Sequence, residues 1–138
     1  MKVAVIVVGT HHAGKSRTIR EYLKPLLGMS KGQHHFALGS ESGYIRSQSI
    51  EERYGYIFSQ SLEEKGLTEV QTIVSKMKGY EKLVFAARPE DESVTLFLLL
   101  KTELEKAGFT VFKVKIEKNQ PANFYEHKGK EIVDYLKM

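Results

Sequence analysis

The residues of this chain whose types and spacing could do chemistry are concentrated near its start, in Gly9-Thr10-His11-His12-Ala13-Gly14-Lys15-Ser16. An apolar, β-branched run at 3–8 precedes this segment, and apolar residues at helical spacing follow it over 19–27. The chain is therefore predicted to turn from a buried strand into a helix. Gly9 would let the chain leave the strand tightly, and Gly14 would let the loop curl without a Cβ in the way. Backbone N–H groups and the positive end of the helix would then face one concave spot, which is typical of an anion site.

The segment resembles the Walker A loop of the P-loop nucleoside triphosphatases and kinases, with matches at Gly9, Gly14, Lys15 and Ser16. The resemblance implies that Lys15 reaches the outer phosphates of a nucleoside triphosphate and that the Ser16 hydroxyl holds Mg²⁺. The alternative is a glycine turn between strand and helix that binds no ligand. The predicted nucleotide contacts in this part of the chain are Gly9, Thr10, His11, His12, Ala13, Gly14, Lys15, Ser16 and Arg17.

Composition limits the class of protein. The 138 residues, 41% of them hydrophobic and 28% charged, predict one globular domain that spans 1–138. No apolar run approaches the roughly 20 residues of a membrane span, and the chain starts with a strand pattern instead of a signal peptide. The absence of cysteine excludes disulfides and a thiol mechanism, so we expect a cytoplasmic protein without a membrane partner. The net charge of +4 favours anionic partners; nucleotides satisfy it, and nucleic acid stays possible although Lys and Arg are scattered.

Strand and helix patterns alternate along the chain. The patterns predict strands at 3–8, 34–38, 82–87 and 110–116. They predict helices at 15–27, from a possible capping box at Thr68 and Gln71 through Met77, from Pro89 to the residue before Gly108, and at 122–136. The stretch 39–61 is predicted to be a long loop that could hold a small ribbon or a helical turn. The alternation predicts an α/β fold, a three-layer α/β/α sandwich with a mainly parallel sheet. The order resembles that of the small P-loop kinases, which implies that the strand at 82–87 lies beside the strand at 3–8. The strand at 110–116 carries alternate charged residues, which predicts an edge position.

Ligands of an open parallel sheet bind beyond the carboxyl ends of its strands. Glu41, after the second predicted strand, could orient or deprotonate an acceptor hydroxyl, or it could be an ordinary residue of a polar loop. Arg88, after the strand at 82–87, could neutralise charge on a transferring phosphoryl group, or it could pair with a nearby glutamate. Asn119 and Gln120 stand where an adenine-contacting loop would lie, and the guanine-binding signature of the family is missing, so ATP is favoured over GTP.

The chain departs from the P-loop pattern in one place. The strand at 82–87 ends in Ala86-Ala87-Arg88 and lacks the Walker B aspartate that usually helps to hold Mg²⁺. Glu41, or an acid at 90–91, could replace it, although the acids at 90–91 also suit the start of a helix. A metal site shared by His11-His12 and His34-His35 is not expected, because a parallel sheet would place the two pairs at opposite edges, roughly 16 Å apart.

Three functions follow as hypotheses. The first is a small ATP-dependent phosphotransferase or NTP hydrolase that uses Mg²⁺, with Lys15, Glu41 and Arg88 as catalytic residues and an unknown small molecule as the acceptor. The second is a nucleotide-binding regulatory switch with little turnover, which the missing Walker B acid favours. The third is an NTPase that acts beside nucleic acid, suggested by the basic charge balance alone.

Overall fold

The structure of the chain, a computed structural model, describes residues 2–9, 13–30, 32–36, 55–61, 69–88 and 90–138, with the backbone alone at 59–61 and 90–95. Five strands form one sheet in the order β2-β3-β4-β1-β5. The strands are β1 Val3–Val8, β2 His35–Phe36, β3 Gly55–Ser61, β4 Lys82–Ala87 and β5 Thr110–Lys115.

The sheet is mostly parallel. β3, β4, β1 and β5 run in the same direction, and β2 pairs antiparallel with β3. The predictions that the strand at 82–87 lies beside β1 and that the strand at 110–116 lies at an edge are both confirmed, as is the α/β class. β1 and β4 are buried along their whole length, which explains why both read as continuous apolar runs.

Two predictions about the stretch 34–61 are wrong. The second predicted strand is antiparallel to its neighbour, and the loop predicted at 39–61 ends in β3, an interior strand. The apolar part of β3 is short, and its pairing with β4 shifts register after Ile57, so the strand leaves a weak pattern in the sequence. Gly55 is needed at its start because a Cβ there would lie 2.4 Å from ring atoms of Phe36 in β2.

Four helical segments connect the strands. The first, α1, combines an α-helical turn Lys15–Arg17, a π-helical stretch Thr18–Leu23 and a 3-10 turn Lys24–Leu27. The others are α2 Val70–Met77, α3 Glu90–Lys106 and α4 Ala122–Leu136. The predicted extents agree with these bounds to within about two residues at each end, but the irregular winding of α1 was not predicted. None of the helices in the described part of the chain is both long and apolar enough to cross a membrane.

Apolar side chains pack on both faces of the sheet. Alternate residues of β1 divide between two buried clusters: Val3, Val5 and Val7 belong to one, and Ala4, Ile6 and Val8 to the other. The first cluster includes residues of α1 and α4, such as Leu23 and Ile132. The second includes residues of α2 and α3. The first cluster therefore holds α1 against the face of the sheet next to the end of β1, from which the 9–16 segment emerges.

Candidate functional site

The carboxyl ends of β4, β1 and β5 meet at one edge of the sheet. The Gly9 N–H donates to the Ala87 carbonyl at 3.2 Å, and the Ile116 N–H donates to the Val8 carbonyl at 2.7 Å. The chain therefore brings the residue after β1, the end of β4 and the end of β5 together, as the parallel-sheet rule predicts. We call this the site edge.

Gly9 lies where a side chain would be tightly crowded. A Cβ on Gly9 would lie 3.0 Å from the Ala13 Cβ, 3.0 Å from the Ile116 carbonyl oxygen and 3.2 Å from the Lys15 Cγ. Two of these neighbours belong to the 9–16 segment itself, which bends back over its first residue. Thr10, His11 and His12 lie outside the described residues.

Gly14 sets the start of helix α1. Its backbone is left-handed, with φ 102° and ψ 17°, which an L-residue with a side chain rarely adopts. The Gly14 carbonyl accepts hydrogen bonds from the Thr18 N–H at 2.8 Å and the Thr18 hydroxyl at 2.7 Å. A Cβ on Gly14 would lie 3.1 Å from a ring carbon of Tyr125. The glycine thus combines a turn with a close contact to α4.

Lys15 is turned into the segment instead of toward solvent. Its side chain is 5% exposed, and its ammonium donates to the Gly9 carbonyl at 2.5 Å. Lysine is rarely buried in proteins unless a partner offsets the cost of removing its charge from water. The next residue, Ser16, is partly exposed. A buried cation next to Gly9 and Gly14, at the start of a helix, is an arrangement that can receive an anion.

Arg17 lies beside the segment on an aromatic pair. Its guanidinium lies 5.4 Å from the ring centre of Tyr125 and 5.8 Å from that of Tyr22, and its Nε is 3.6 Å from the Glu21 carboxylate. The Tyr22 and Tyr125 rings are nearly parallel, with centres 6.5 Å apart. These contacts restrict an otherwise exposed arginine, next to Ser16 in the chain.

The loop after β5 is fastened to the same place by Tyr125. The Tyr125 hydroxyl donates to the Glu117 carbonyl at 2.8 Å and accepts from the Gln120 N–H at 3.4 Å. Asn119 has φ 59°, a left-handed conformation that asparagine tolerates well, so it shapes the turn as well as presenting an amide. Asn119 is exposed, and the Gln120 side chain donates to the Lys118 carbonyl at 3.3 Å.

Sequence reasoning missed Tyr125. The available signal was an aromatic residue with a polar group in the first turns of a helix next to the site edge, since a buried tyrosine hydroxyl needs a partner. Tyr125 is 4% exposed, and that partner is the 117–120 loop.

The remaining predicted catalytic residues have different outcomes. Arg88 follows β4 at the site edge and is partly buried, with its Nε shielded from solvent. Glu41 lies outside the described residues. The reasoning that placed Glu41 at the site edge assumed a parallel second strand, and because β2 is antiparallel its carboxyl end points to the other edge. Glu41 stays a prediction without that support.

The described end of β4 carries no acid in place of the Walker B aspartate, and the side chains of the acids at 90–91, which are possible replacements, lie outside the described side chains. β4 ends in buried Ala86 and Ala87, and the described ranges contain no group of three or more His, Cys, Asp or Glu residues that could hold a metal. His35 pairs with Tyr56 near the amino ends of the parallel strands, far from Gly9 along the sheet. The expected separation of His34-His35 from the site edge therefore holds, although for an antiparallel strand.

Comparison of the chain with protein-family models, with curated proteins and with solved structures found no match. The functional interpretation therefore depends on the residues and contacts of this chain.

Proposed function

We propose that this chain is a P-loop nucleotide-binding protein with a three-layer α/β/α sandwich, which binds a nucleoside triphosphate, preferably ATP, together with Mg²⁺. Within that class we propose an ATP-dependent phosphotransferase or NTP hydrolase. The fold assignment is supported by the apolar clusters on both faces of the sheet and by the position of β4 beside β1. These features are the ones that the resemblance to small P-loop kinases implies.

The observation that carries the proposal is the buried Lys15 ammonium, which donates to the Gly9 carbonyl at the start of the segment. Removing an ammonium from water costs free energy, and a bound anion would add a full opposite charge to the neutral Gly9 carbonyl as a partner of Lys15. A triphosphate would meet the Lys15 charge and the backbone N–H groups at the start of α1 together. A single bound triphosphate would therefore account for Gly9, Gly14 and Lys15 together.

The other residues take roles that follow from their positions. Ser16 would hold Mg²⁺ through its hydroxyl, and bound Mg²⁺ would neutralise phosphate charge. Arg17 would lie next to the phosphates, and Arg88 would face charge that develops during transfer. Glu41, if the chain beyond β2 brings it to the site, would act on the acceptor hydroxyl.

A nucleotide-binding switch with little turnover is the second candidate function. It is favoured by Ala86 and Ala87, which occupy the end of β4 where P-loop enzymes usually carry an acid. Without that acid, binding can persist while the chemical step is slow. Action beside nucleic acid and a cytoplasmic location remain predictions from charge and composition.

Titration calorimetry with Mg·ATP tests the binding proposal. The Lys15→Ala variant should bind Mg·ATP about 10- to 150-fold more weakly than the wild type, because a hydrogen bond to a charged group contributes about 1.5–3 kcal/mol. Lys106→Ala is the charge-matched control: Lys106 is exposed at the end of α3, and its removal should leave affinity unchanged. Absence of any heat with wild-type protein, or equal affinities for Lys15→Ala and wild type, would refute the proposal.

Turnover separates the two candidate functions. Phosphate release from ATP that disappears in Lys15→Ala supports the enzyme, and tight binding without release supports the switch. A screen of nucleosides, nucleotides and small alcohols for acceptors that stimulate ATP consumption would then identify a phosphotransferase substrate. If wild-type protein binds ATP and no acceptor stimulates its consumption, the phosphotransferase assignment is wrong.

A further inference from the structure

Tyr125 is the one side chain in the described ranges that contacts Gly14 and also closes the 117–120 loop by hydrogen bonds. Its ring lies 3.1 Å from the position that a Cβ on Gly14 would occupy, and its hydroxyl bonds the Glu117 carbonyl at 2.8 Å and the Gln120 N–H at 3.4 Å. The ring and the hydroxyl therefore contact two different loops. One of these loops carries the proposed phosphate-binding residues, and the other carries Asn119 and Gln120.

The two contacts have different physical characters. The ring contact is made by packing, and it extends to the Arg17 guanidinium at 5.4 Å and to the Tyr22 ring. The hydroxyl contact is made by two hydrogen bonds to backbone groups, which hold the ends of a four-residue turn together. Removing the hydroxyl alone would release the turn and leave the packing on Gly14 in place.

We propose that Tyr125 is a positioning residue that couples the 117–120 loop to the 9–16 segment, so that the nucleoside part and the phosphate part of one ligand are held in register. The inference depends on the proposed nucleotide-binding function and adds to it the origin of selectivity for a nucleoside triphosphate over a bare polyphosphate. The phosphates contact the 9–16 segment, and the nucleoside contacts a loop whose position the Tyr125 hydroxyl fixes.

The expected size of the effect follows from the cost of ordering a loop. A ligand that binds only when the loop is ordered loses affinity in proportion to the fraction of protein in that state. The two hydrogen bonds of the Tyr125 hydroxyl favour the ordered turn, and neutral hydrogen bonds of this kind contribute modestly to stability. Loss of the hydroxyl should therefore weaken binding of the nucleoside-bearing ligand about fivefold to tenfold. A ligand that contacts only the 9–16 segment should be unaffected.

The test compares Mg·ATP with Mg·tripolyphosphate by titration calorimetry on the full chain. In Tyr125→Phe the dissociation constant for Mg·ATP should rise about fivefold to tenfold, and that for Mg·tripolyphosphate should stay within about twofold of wild type. Tyr135→Phe is the matched control on the same helix. The Tyr135 hydroxyl bonds the Glu131 carboxylate at 3.4 Å and its ring stacks on Phe112, away from both loops, so neither constant should change.

The outcomes separate this inference from the proposed function. If wild type binds both ligands and Tyr125→Phe weakens both equally, the tyrosine acts on overall structure and the coupling is refuted. If Tyr125→Phe weakens neither, the hydroxyl positions nothing that the ligand needs, and the coupling is again refuted. If wild type binds neither ligand, the proposed function fails and this inference fails with it.

Discussion

Gly129 in α4 offers the sharpest test of how the helices pack, because it lies directly against the backbone of α1. A Cβ added at Gly129 would lie 2.6 Å from the Tyr22 carbonyl oxygen and 2.9 Å from its carbonyl carbon. Ordinary contacts of a Cβ begin near 3.4 Å, so α4 and α1 would have to separate by about 0.8 Å. Both atoms belong to the backbone, so no side-chain rotation can relieve the contact.

The free energy of Gly129→Ala is a balance of two terms. Overpacking of a close interface costs about 1–3 kcal/mol. Alanine in a helix interior recovers about 1 kcal/mol relative to glycine. The net expectation is a destabilisation of up to about 2 kcal/mol, which lowers the melting temperature of a domain of this size by up to about 10 °C.

Thermal unfolding followed by circular dichroism, together with urea titration, would measure this change. Lys130→Ala, at the next and exposed position of α4, serves as the control and should lie within about 0.5 kcal/mol of wild type. A Gly129→Ala protein that melts at or above the wild-type temperature would show that helix propensity prevails. That result would contradict the close contact between Gly129 of α4 and the Tyr22 backbone.

Two further predictions concern Gly14 at the site edge and Lys24, which is buried at the other end of α1. Gly14→Ala should destabilise the protein by about 1–2 kcal/mol and weaken Mg·ATP binding, because a left-handed backbone is costly for a residue with a side chain. Gly32→Ala is the neutral control in the same melting and calorimetry experiments, because a Cβ at Gly32 would meet no atom within 4 Å. An unchanged melting temperature for Gly14→Ala would contradict the left-handed backbone at Gly14. Burial, and to a smaller degree the charge of Arg20, lower the pKa of Lys24 in the folded state below its usual 10.5. Between that lowered pKa and 10.5 the unfolded state binds more protons than the folded state, so wild-type stability should rise with pH in that window. Urea unfolding at several pH values should show that Lys24→Met lacks this rise, and parallel pH profiles of the two proteins would count against it.

The elements that the sequence predicts well are those whose signal is local. β1 and β4 are buried on both faces, so every residue in each is apolar or shielded from water. Their apolar runs can therefore be recognised in the sequence without knowledge of the neighbouring strands. β5 shows the alternation of an edge strand, and the ends of α1 and α3 coincide with Gly28 and Gly108, both in left-handed conformations. The predicted ends of β1 and α1 also locate the 9–16 segment, which lies between them in the chain.

The features that the sequence did not predict depend on contacts between distant parts of the chain. β3 is specified by its pairing with β4 and by the Phe36 ring, which fills the space above Gly55. Neither contact produces a periodic pattern of apolar residues that the sequence alone would show. The direction of β2 is likewise set by its partner, and the expected place of Glu41 depended on that direction. Tyr125 was not predicted because its partners, Gly14 and the 117–120 loop, are brought together only by the fold.

Helix α4 controls the geometry of the site edge through two close contacts. Gly129 allows the backbone of α4 to approach Tyr22 in the π-helical part of α1, and one helical turn earlier Tyr125 packs on Gly14. A shift of α4 away from Tyr22 would therefore also move the Tyr125 ring from Gly14 and strain its bonds to Glu117 and Gln120. Packing of α4 against α1 and the relative position of the two loops are thus coupled through Gly129 and Tyr125, which lie four residues apart on one helix.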